Sequence, residues 1–200
     1  MIKLIHQIWI GEDPLPERFY KNSLGIEKIN LEYSIIRWDN ARAIKEYPEI
    51  IKWFDLGCVP AYISDWLRYR VISDYGGWYI DYDYTGILPL KTISNSDIFT
   101  VVKFSRPGFK FINGFFYADK GYPFGKLLNC IPDQVIMQDW NDFISAKDPT
   151  EYKIINSELI SENGIAYREE RVRSFYKHPK YNYRVIDNEW IHRHNLKGKE

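Results

Sequence analysis

Asp81 and Asp83, one residue apart in Gly76-Gly77-Trp78-Tyr79-Ile80-Asp81-Tyr82-Asp83, are the pair whose type and spacing point most directly to chemistry. A strand alternates its faces, so carboxylates at i and i+2 point the same way, roughly 6–7 Å apart at Cα. Like charges on one face repel and disturb each other's titration unless a cation lies beside them. Mg2+ and Mn2+ are hard, oxygen-preferring ions that bind through one or two carboxylates together with a substrate's phosphates. Such an ion would neutralise a departing diphosphate. The spacing alone is weak evidence. With 14 Asp in 200 residues, about one Asp-x-Asp pair arises by chance.

The setting of the pair narrows its meaning. It ends a strand over Trp78 to Asp83, and Gly76-Gly77 separates that strand from a preceding helix opened by Pro60-Ala61. Ile63, Leu67 and Val71 recur at i, i+4 and i+8 and make the helix amphipathic, with one buried stripe. Asp65 and Arg68 share another face. The ordinary reading of such a pair is a surface ion pair of little energetic value.

Upstream, residues 2–10 read as a buried strand of the parallel kind, followed by a two-proline loop. Trp9 sits just before that loop, at the carboxyl edge where open α/β sheets bind ligands. Core packing and stacking on a nucleobase are both open to it. Residues 17–29 read as a helix, 33–38 as a strand, and 41–47 and 48–56 as two short helices. This alternation predicts an α/β layer fold. Downstream, residues 98–102 and 110–117 read as strands. Asn113-Gly114 marks either a hairpin turn or a bulge giving a ligand close access. Helices are expected over 123–131 and 133–146, and short strand-like runs over 171–176 and 183–186. No repeat, linker or low-complexity tract divides the chain, so residues 1–200 read as a single domain.

Composition sets outer bounds. The chain is 45% hydrophobic, 27% charged and 17% aromatic, which is globular and rich in flat rings suited to sugar or base faces. Net charge is zero, so no global field draws the protein to nucleic acid or an anionic membrane. The basic excess gathers between Arg168 and Lys199, with three of the four His, as a solvated face or a phosphate-facing one. Two distant cysteines, Cys58 and Cys130, without a Cys-x-x-Cys, fit a reducing compartment. Nothing at the N-terminus resembles a signal peptide, and no apolar run approaches the roughly 20 residues of a membrane span. A cytoplasmic setting is expected, with any membrane association peripheral.

Ser64-Asp65-x-x-Arg68, then Tyr75-Gly76-Gly77-x-Tyr79-Ile80-Asp81-x-Asp83, resembles the signature of the DxD-motif glycosyltransferases of family 32. That group includes bacterial capsule and lipopolysaccharide sugar transferases and yeast mannosyltransferases, and the same elements are similar to the glucosylating domains of large clostridial toxins. His6-Gln7-Ile8-Trp9-Ile10-Gly11 resembles the family's opening. Asn113-Gly114 and the run from Lys120 to Phe124 resemble its middle, and His192-x-His194 its late histidine. The resemblance implies a GT-A fold with a mixed, mostly parallel sheet flanked by helices. It implies retaining transfer of a sugar from a UDP- or GDP-sugar to a hydroxyl acceptor, most simply a glycan, with Mn2+ or Mg2+.

By the same resemblance Trp9 stacks on the base, Asp65 bonds the ribose or donor sugar, and Arg68 reaches phosphates or sugar. Tyr79 and Asn113 line the donor pocket. Asp81 contacts ribose and sugar hydroxyls or the ion through water, Asp83 ligates the ion, and His194, or else His192, approaches the diphosphate or the metal. Asp81, Asp83 and Arg68 are the residues expected to carry catalysis. One departure stands out. Relatives follow the late histidine with Ser-Trp, whereas His194 is followed by Asn195-Leu196-Lys197-Gly198-Lys199-Glu200. The competing expectations are transfer to a modified base in DNA, a metal-dependent phosphodiesterase or nuclease, and a non-catalytic nucleotide-sugar-binding module.

Overall fold

The computed structural model describes residues 1–86, 89–92, 99–103, 111–130, 136–148, 151–156, 166–168, 183–186 and 189–192. Residues 1–167 and 168–200 form two compact units. The first is built on a six-stranded mixed sheet. Its strands are β1 (Leu4–Ile8), β2 (Ser34–Trp38), β3 (Gly77–Ile80), β5 (Phe99–Lys103), β6 (Phe111–Ala118) and β7 (Lys153–Asn156), ordered β2-β1-β3-β6-β5-β7. β1 pairs in parallel with β2 and β3, and β5 with β7, while β6 runs antiparallel to β3 and β5. A short strand β4 (Tyr84–Gly86) pairs with β8 (Ala166–Arg168). The second unit contains the antiparallel pair β9 (Tyr183–Ile186) and β10 (Glu189–His192). The run 171–176 lies outside the described residues.

The helices are α1 (Glu17–Ile29), α2 (Asn40–Glu46), α3 (Ile50–Asp55), α4 (Pro60–Tyr75), α5 (Gly125–Leu128) and α6 (Ile136–Ser145). Strand alternation splits the core between the two faces of the sheet. Ile5, Trp78, Ile80, Phe115 and Tyr117 pack with Ile26 of α1. Ile8, Tyr79, Phe99, Val101 and Phe116 pack with residues of α4 and α6. The helix–strand alternation expected up to residue 80 is present. α5 is shorter than the helix expected over 123–131.

α4 departs from the amphipathic helix that its Ile63, Leu67, Val71 stripe predicts. Those three are fully buried, and Tyr62, Trp66, Arg68, Tyr69 and Ile72 are buried as well. The helix is wedged between the sheet and α3, α5 and α6, so aromatic residues on its flanks are also covered. It ends at Gly76, φ +70°, and Gly77 follows at φ +105°. A Cβ on Gly77 would lie 2.6 Å from the Leu4 carbonyl oxygen, so both the dihedral and the close pass of β1 require glycine there.

One buried polar link ties α4 to the sheet. Trp38 Nε1 donates to His6 Nδ1 at 3.1 Å, and His6 Nε2 lies 3.0 Å from the Gly76 carbonyl. An indole nitrogen only donates, so His6 is neutral with its proton on Nε2. Burial, partly countered by the Gly76 bond and helped by Arg42, pulls its pKa from 6.5 down to about 4. The folded protein therefore resists a proton that the unfolded chain takes up near pH 6.5. Stability should be intact above that pH and fall as pH drops from about 6.5 to about 4, by up to ~3 kcal/mol. Urea midpoints between pH 7 and pH 4.5 measure this, and His6→Gln should flatten the histidine part of the slope.

Candidate functional site

Two neighbouring groups of residues form the site. The first is a buried ionic cluster at the β3–β6 edge, under α4. β3 stops at Ile80, so Asp81 and Asp83 do not lie in the strand as expected but in the turn that follows it. Asp81 N donates to the Gly114 carbonyl at 2.8 Å, and Tyr84 N closes back on the Asp81 carbonyl at 3.2 Å. The two carboxylates are placed by a turn, and strand alternation does not set their directions. Asp83 is 2% exposed.

Arg68 is the centre of the cluster, at 6% exposure. Its Nη2 lies 2.8 Å from Asp65 Oδ1 and 3.7 Å from Asp81 Oδ1, its Nη1 donates to the Asn113 carbonyl at 3.0 Å, and its Nε to Ser64 O at 3.4 Å. The guanidinium covers the Tyr79 ring at 4.6 Å. Asn113 Nδ2 donates to Asp65 Oδ1, and the Tyr79 hydroxyl donates to Asp81 Oδ1 at 2.7 Å. Burial disfavours the charge on Arg68, but Asp65, Tyr79 and Asp81 together hold its pKa above the ordinary value. Burial likewise raises the Tyr79 hydroxyl, against the pull of Arg68, so it stays a neutral donor. This is not the weak surface pair that Asp-x-x-Arg suggests by itself.

Asn113-Gly114 is not a hairpin turn. Both residues lie within β6, where the register with β5 jumps: Val101 pairs with Phe116 and Val102 with Ile112. The irregularity releases the Asn113 carbonyl to Arg68 instead of the ladder. Gly114 faces Asp81, and a Cβ built there would collide with Asp81 Oδ2. The close approach at this glycine is made by a carboxylate of the protein itself.

The second group is an open cleft of about 470 Å³ at the carboxyl ends of β1 and β2, lined by Trp9, Gly11–Leu15, Arg37–Ala41 and Tyr82. Trp9 Nε1 donates to the Asp13 carbonyl, and the ring meets Phe19 and Tyr82 edge-on, at 88° to the latter. Asn40 clasps the loop with two bonds, accepting from Gly11 N at 2.8 Å and donating to Gly11 O at 2.7 Å. Tyr82 is the middle residue of Asp81-Tyr82-Asp83, so it belongs to both groups. Sequence reasoning passed over Arg37, Asp39, Asn40 and Tyr82. The available signal was their position at the end of β2 and between the two carboxylates.

The donor set suits a hard cation. Asp81 and Asp83 offer anionic oxygens, and no cluster of three or more His, Cys, Asp or Glu exists among the described residues. Two carboxylates would leave the rest of such an ion's shell to substrate phosphates and water. His194 lies outside the described residues, as do Lys197 and Lys199, and His192 is placed only as the last residue of β10.

Residues 16–100 match the family described as glycosyltransferase sugar-binding region containing DXD motif. The match covers 85 of the chain's 200 residues. Asp65, Arg68, Tyr79, Asp81 and Asp83 of the DXD region all fall inside the match, whereas Trp9 and Asn113 lie outside it. A glycosyltransferase of Acanthamoeba polyphaga mimivirus is 33% identical over 87 residues, 40% of this chain and 34% of that protein. The mannosyl phosphorylinositol ceramide synthase of Saccharomyces cerevisiae is 33% identical over 85 residues, 40% of this chain and 22% of that protein. The match thus spans about a third or less of these relatives' lengths. Among solved structures, PaToxG glycosyltransferase superposes with a TM-score of 0.50 at 20% identity, over 74% of this chain and 71% of that one. The likeness bears out the α/β fold with a mixed sheet flanked by helices that the sequence leads one to expect.

Proposed function

We propose that the protein transfers a sugar from a nucleoside-diphosphate sugar to a hydroxyl acceptor, a glycan, with a divalent ion and retention of configuration. The observation that carries this reading is the continuity of the two groups through Tyr82. A cleft with an aromatic face adjoins a buried carboxylate cluster, the sequence of surfaces that a base and its diphosphate call for. In this reading Trp9 stacks on the base, and Asp65, Tyr79 and Asn113 hold the ribose or sugar. Asp81 and Asp83 would hold Mn2+ or Mg2+, which when bound offsets the charge of the leaving diphosphate. Arg68 reaches the donor only through the residues it fixes, because Asp65, Asn113 and Ser64 already draw on its fork. Retention rests on the family likeness. A front-face path, in which the departing phosphate helps to deprotonate the acceptor, asks for no protein nucleophile, and the protein contributes positioning and electrostatics.

Calorimetry with UDP and GDP, each with and without Mn2+, tests the reading. Binding should need the ion, and Asp83→Ala should remove the ion-dependent gain, about tenfold or more in affinity. Equal binding in EDTA, or unchanged binding by Asp83→Ala, would overturn it.

A further inference from the structure

The interior of α1 contains Asn22, Ser23 and Gly25, all weak helix formers. Asn and Ser are weak there because their side chains compete for hydrogen bonds outside the helix ladder. Here those side chains serve the sheet and the turn beyond it. Ser23 donates to Gln7 of β1 at 2.6 Å and accepts from Arg37 Nε of β2 at 3.0 Å. Asn22 Nδ2 donates to the Tyr82 carbonyl at 3.1 Å, in the turn that carries the two carboxylates. Its Oδ1 accepts from the Thr85 hydroxyl on β4, also at 3.1 Å. A carbonyl only accepts, so the amide nitrogen must face Tyr82, and the Thr85 hydroxyl holds it that way round. β4 lies close on α1 at this point: a Cβ on Gly86 would stand 2.8 Å from Ile29 Cδ1.

The oxygen that Asn22 binds is the one that decides the shape of this turn. Tyr84 N donates to the Asp81 carbonyl, so residues 81–84 make a β-turn with Tyr82 and Asp83 at its centre. The middle peptide, between those two residues, is the part that differs between turn types. Flipping it interchanges types I and II and changes ψ of the first central residue and φ of the second. Neither the Asp81 amide bond nor the Tyr84 amide bond acts on that peptide. The Asn22 bond does, because Tyr82 O is its carbonyl oxygen. The φ of Asp83 in turn sets the direction in which its carboxylate leaves the backbone relative to Asp81.

Resting on the nucleotide-sugar reading above, we propose that Asn22 is a positioning residue for the transfer. Held by Thr85, it sets the middle peptide of the 81–84 turn and with it the direction in which Asp83 meets the ion. It acts only through the Tyr82 carbonyl, from a helix that lies 60 residues earlier in the chain.

The test is calorimetry of the full chain with GDP and UDP, each in Mn2+ and in EDTA, with thermal melts alongside. The proteins are the wild type, Asn22→Leu, Thr85→Val and Thr85→Ser. Leucine is close to asparagine in size, carries no charge and is the better helix former, so α1 is kept. A displacement of about 1 Å in a positioned group costs on the order of 100-fold, so Asn22→Leu should lose about tenfold or more of the affinity gained with Mn2+. Its affinity in EDTA should be unchanged. Thr85→Val leaves the amide able to turn round and should lose part of the gain, and Thr85→Ser should recover it. On an Asp83→Ala background Asn22→Leu should cost nothing further. A full gain with Mn2+ in Asn22→Leu, whatever its Tm, would overturn the role of Asn22 and leave the nucleotide-sugar reading standing. A loss of equal size in EDTA would do the same. If Asn22→Leu does not fold, the two Thr85 variants decide, and equal gains in both would overturn the role. A wild type that gains nothing from Mn2+ would overturn both.

Discussion

Gly114→Ala should lose about 100-fold or more in affinity for a nucleoside diphosphate with Mn2+, although it adds one methyl group in a strand that alanine tolerates. Gly114 has no unusual φ, so the argument is one of space. Its added Cβ would occupy the position of Asp81 Oδ2. Asp81 has little freedom to yield, because its backbone N is bonded to the Gly114 carbonyl and its Oδ1 is held by Tyr79 and Arg68. The carboxylate must rotate or the turn must shift, and a displacement of about 1 Å in a positioned group costs on the order of 100-fold. Overpacking should also cost about 1–3 kcal/mol of stability. A double-mutant cycle separates this cause from general damage. In an Asp81→Ala background the Asp81 Cβ left behind lies at 3.6 Å, an ordinary contact, so Gly114→Ala should then cost little. An equal loss of stability in both backgrounds would show that the methyl group acts elsewhere.

The contrast between what the sequence conveyed and what the fold adds follows from the range of each interaction. Helices α1 to α4 and strands β1 to β3 were legible because Pro16, Pro60 and Gly76-Gly77 punctuate them locally. The companionship of Asp65 with Arg68 was legible from helical spacing. Their burial was not, since it depends on β6 arriving 45 residues later to place the Asn113 carbonyl against Arg68. Asp81 and Asp83 fall outside the strand expected to carry them for a related reason. A period of two holds only while a strand is paired, and the pairing with β6 ends at Ile80 and Phe115. Arg37 and Asp39 look like ordinary strand-end polarity until the Trp9 loop, clasped by Asn40, folds back beside them. Asp-x-Asp was the weakest part of the motif by chance occurrence, and the long-range partners of Arg68 are what give it a built environment.

Removing Arg68 should produce the largest loss of stability of any single change at this site. The side chain neutralises Asp65 directly and Asp81 at longer range, and it satisfies the Asn113 carbonyl that the strand irregularity leaves without a ladder bond. Truncation to alanine leaves those groups buried together, and breaking a buried pair in this way costs about 3–5 kcal/mol. For a chain of this size that is a fall in Tm of roughly 10 °C. Arg68→Lys restores the charge but not the fork. A single ammonium cannot reach Asp65, the Asn113 carbonyl and Ser64 together, so lysine should recover only part of the loss. Adding Asp65→Asn to Arg68→Met should recover more than lysine does, because it removes a carboxylate instead of misplacing its counterion. Thermal melts of the four proteins at pH 7 rank these effects. If Arg68→Ala melts within about 2 °C of the wild type, Arg68 is not the keystone of the cluster. Its charge would then be open to act on a bound diphosphate, and the division of labour drawn here, in which Arg68 positions and the carboxylates bind, would have to be reversed.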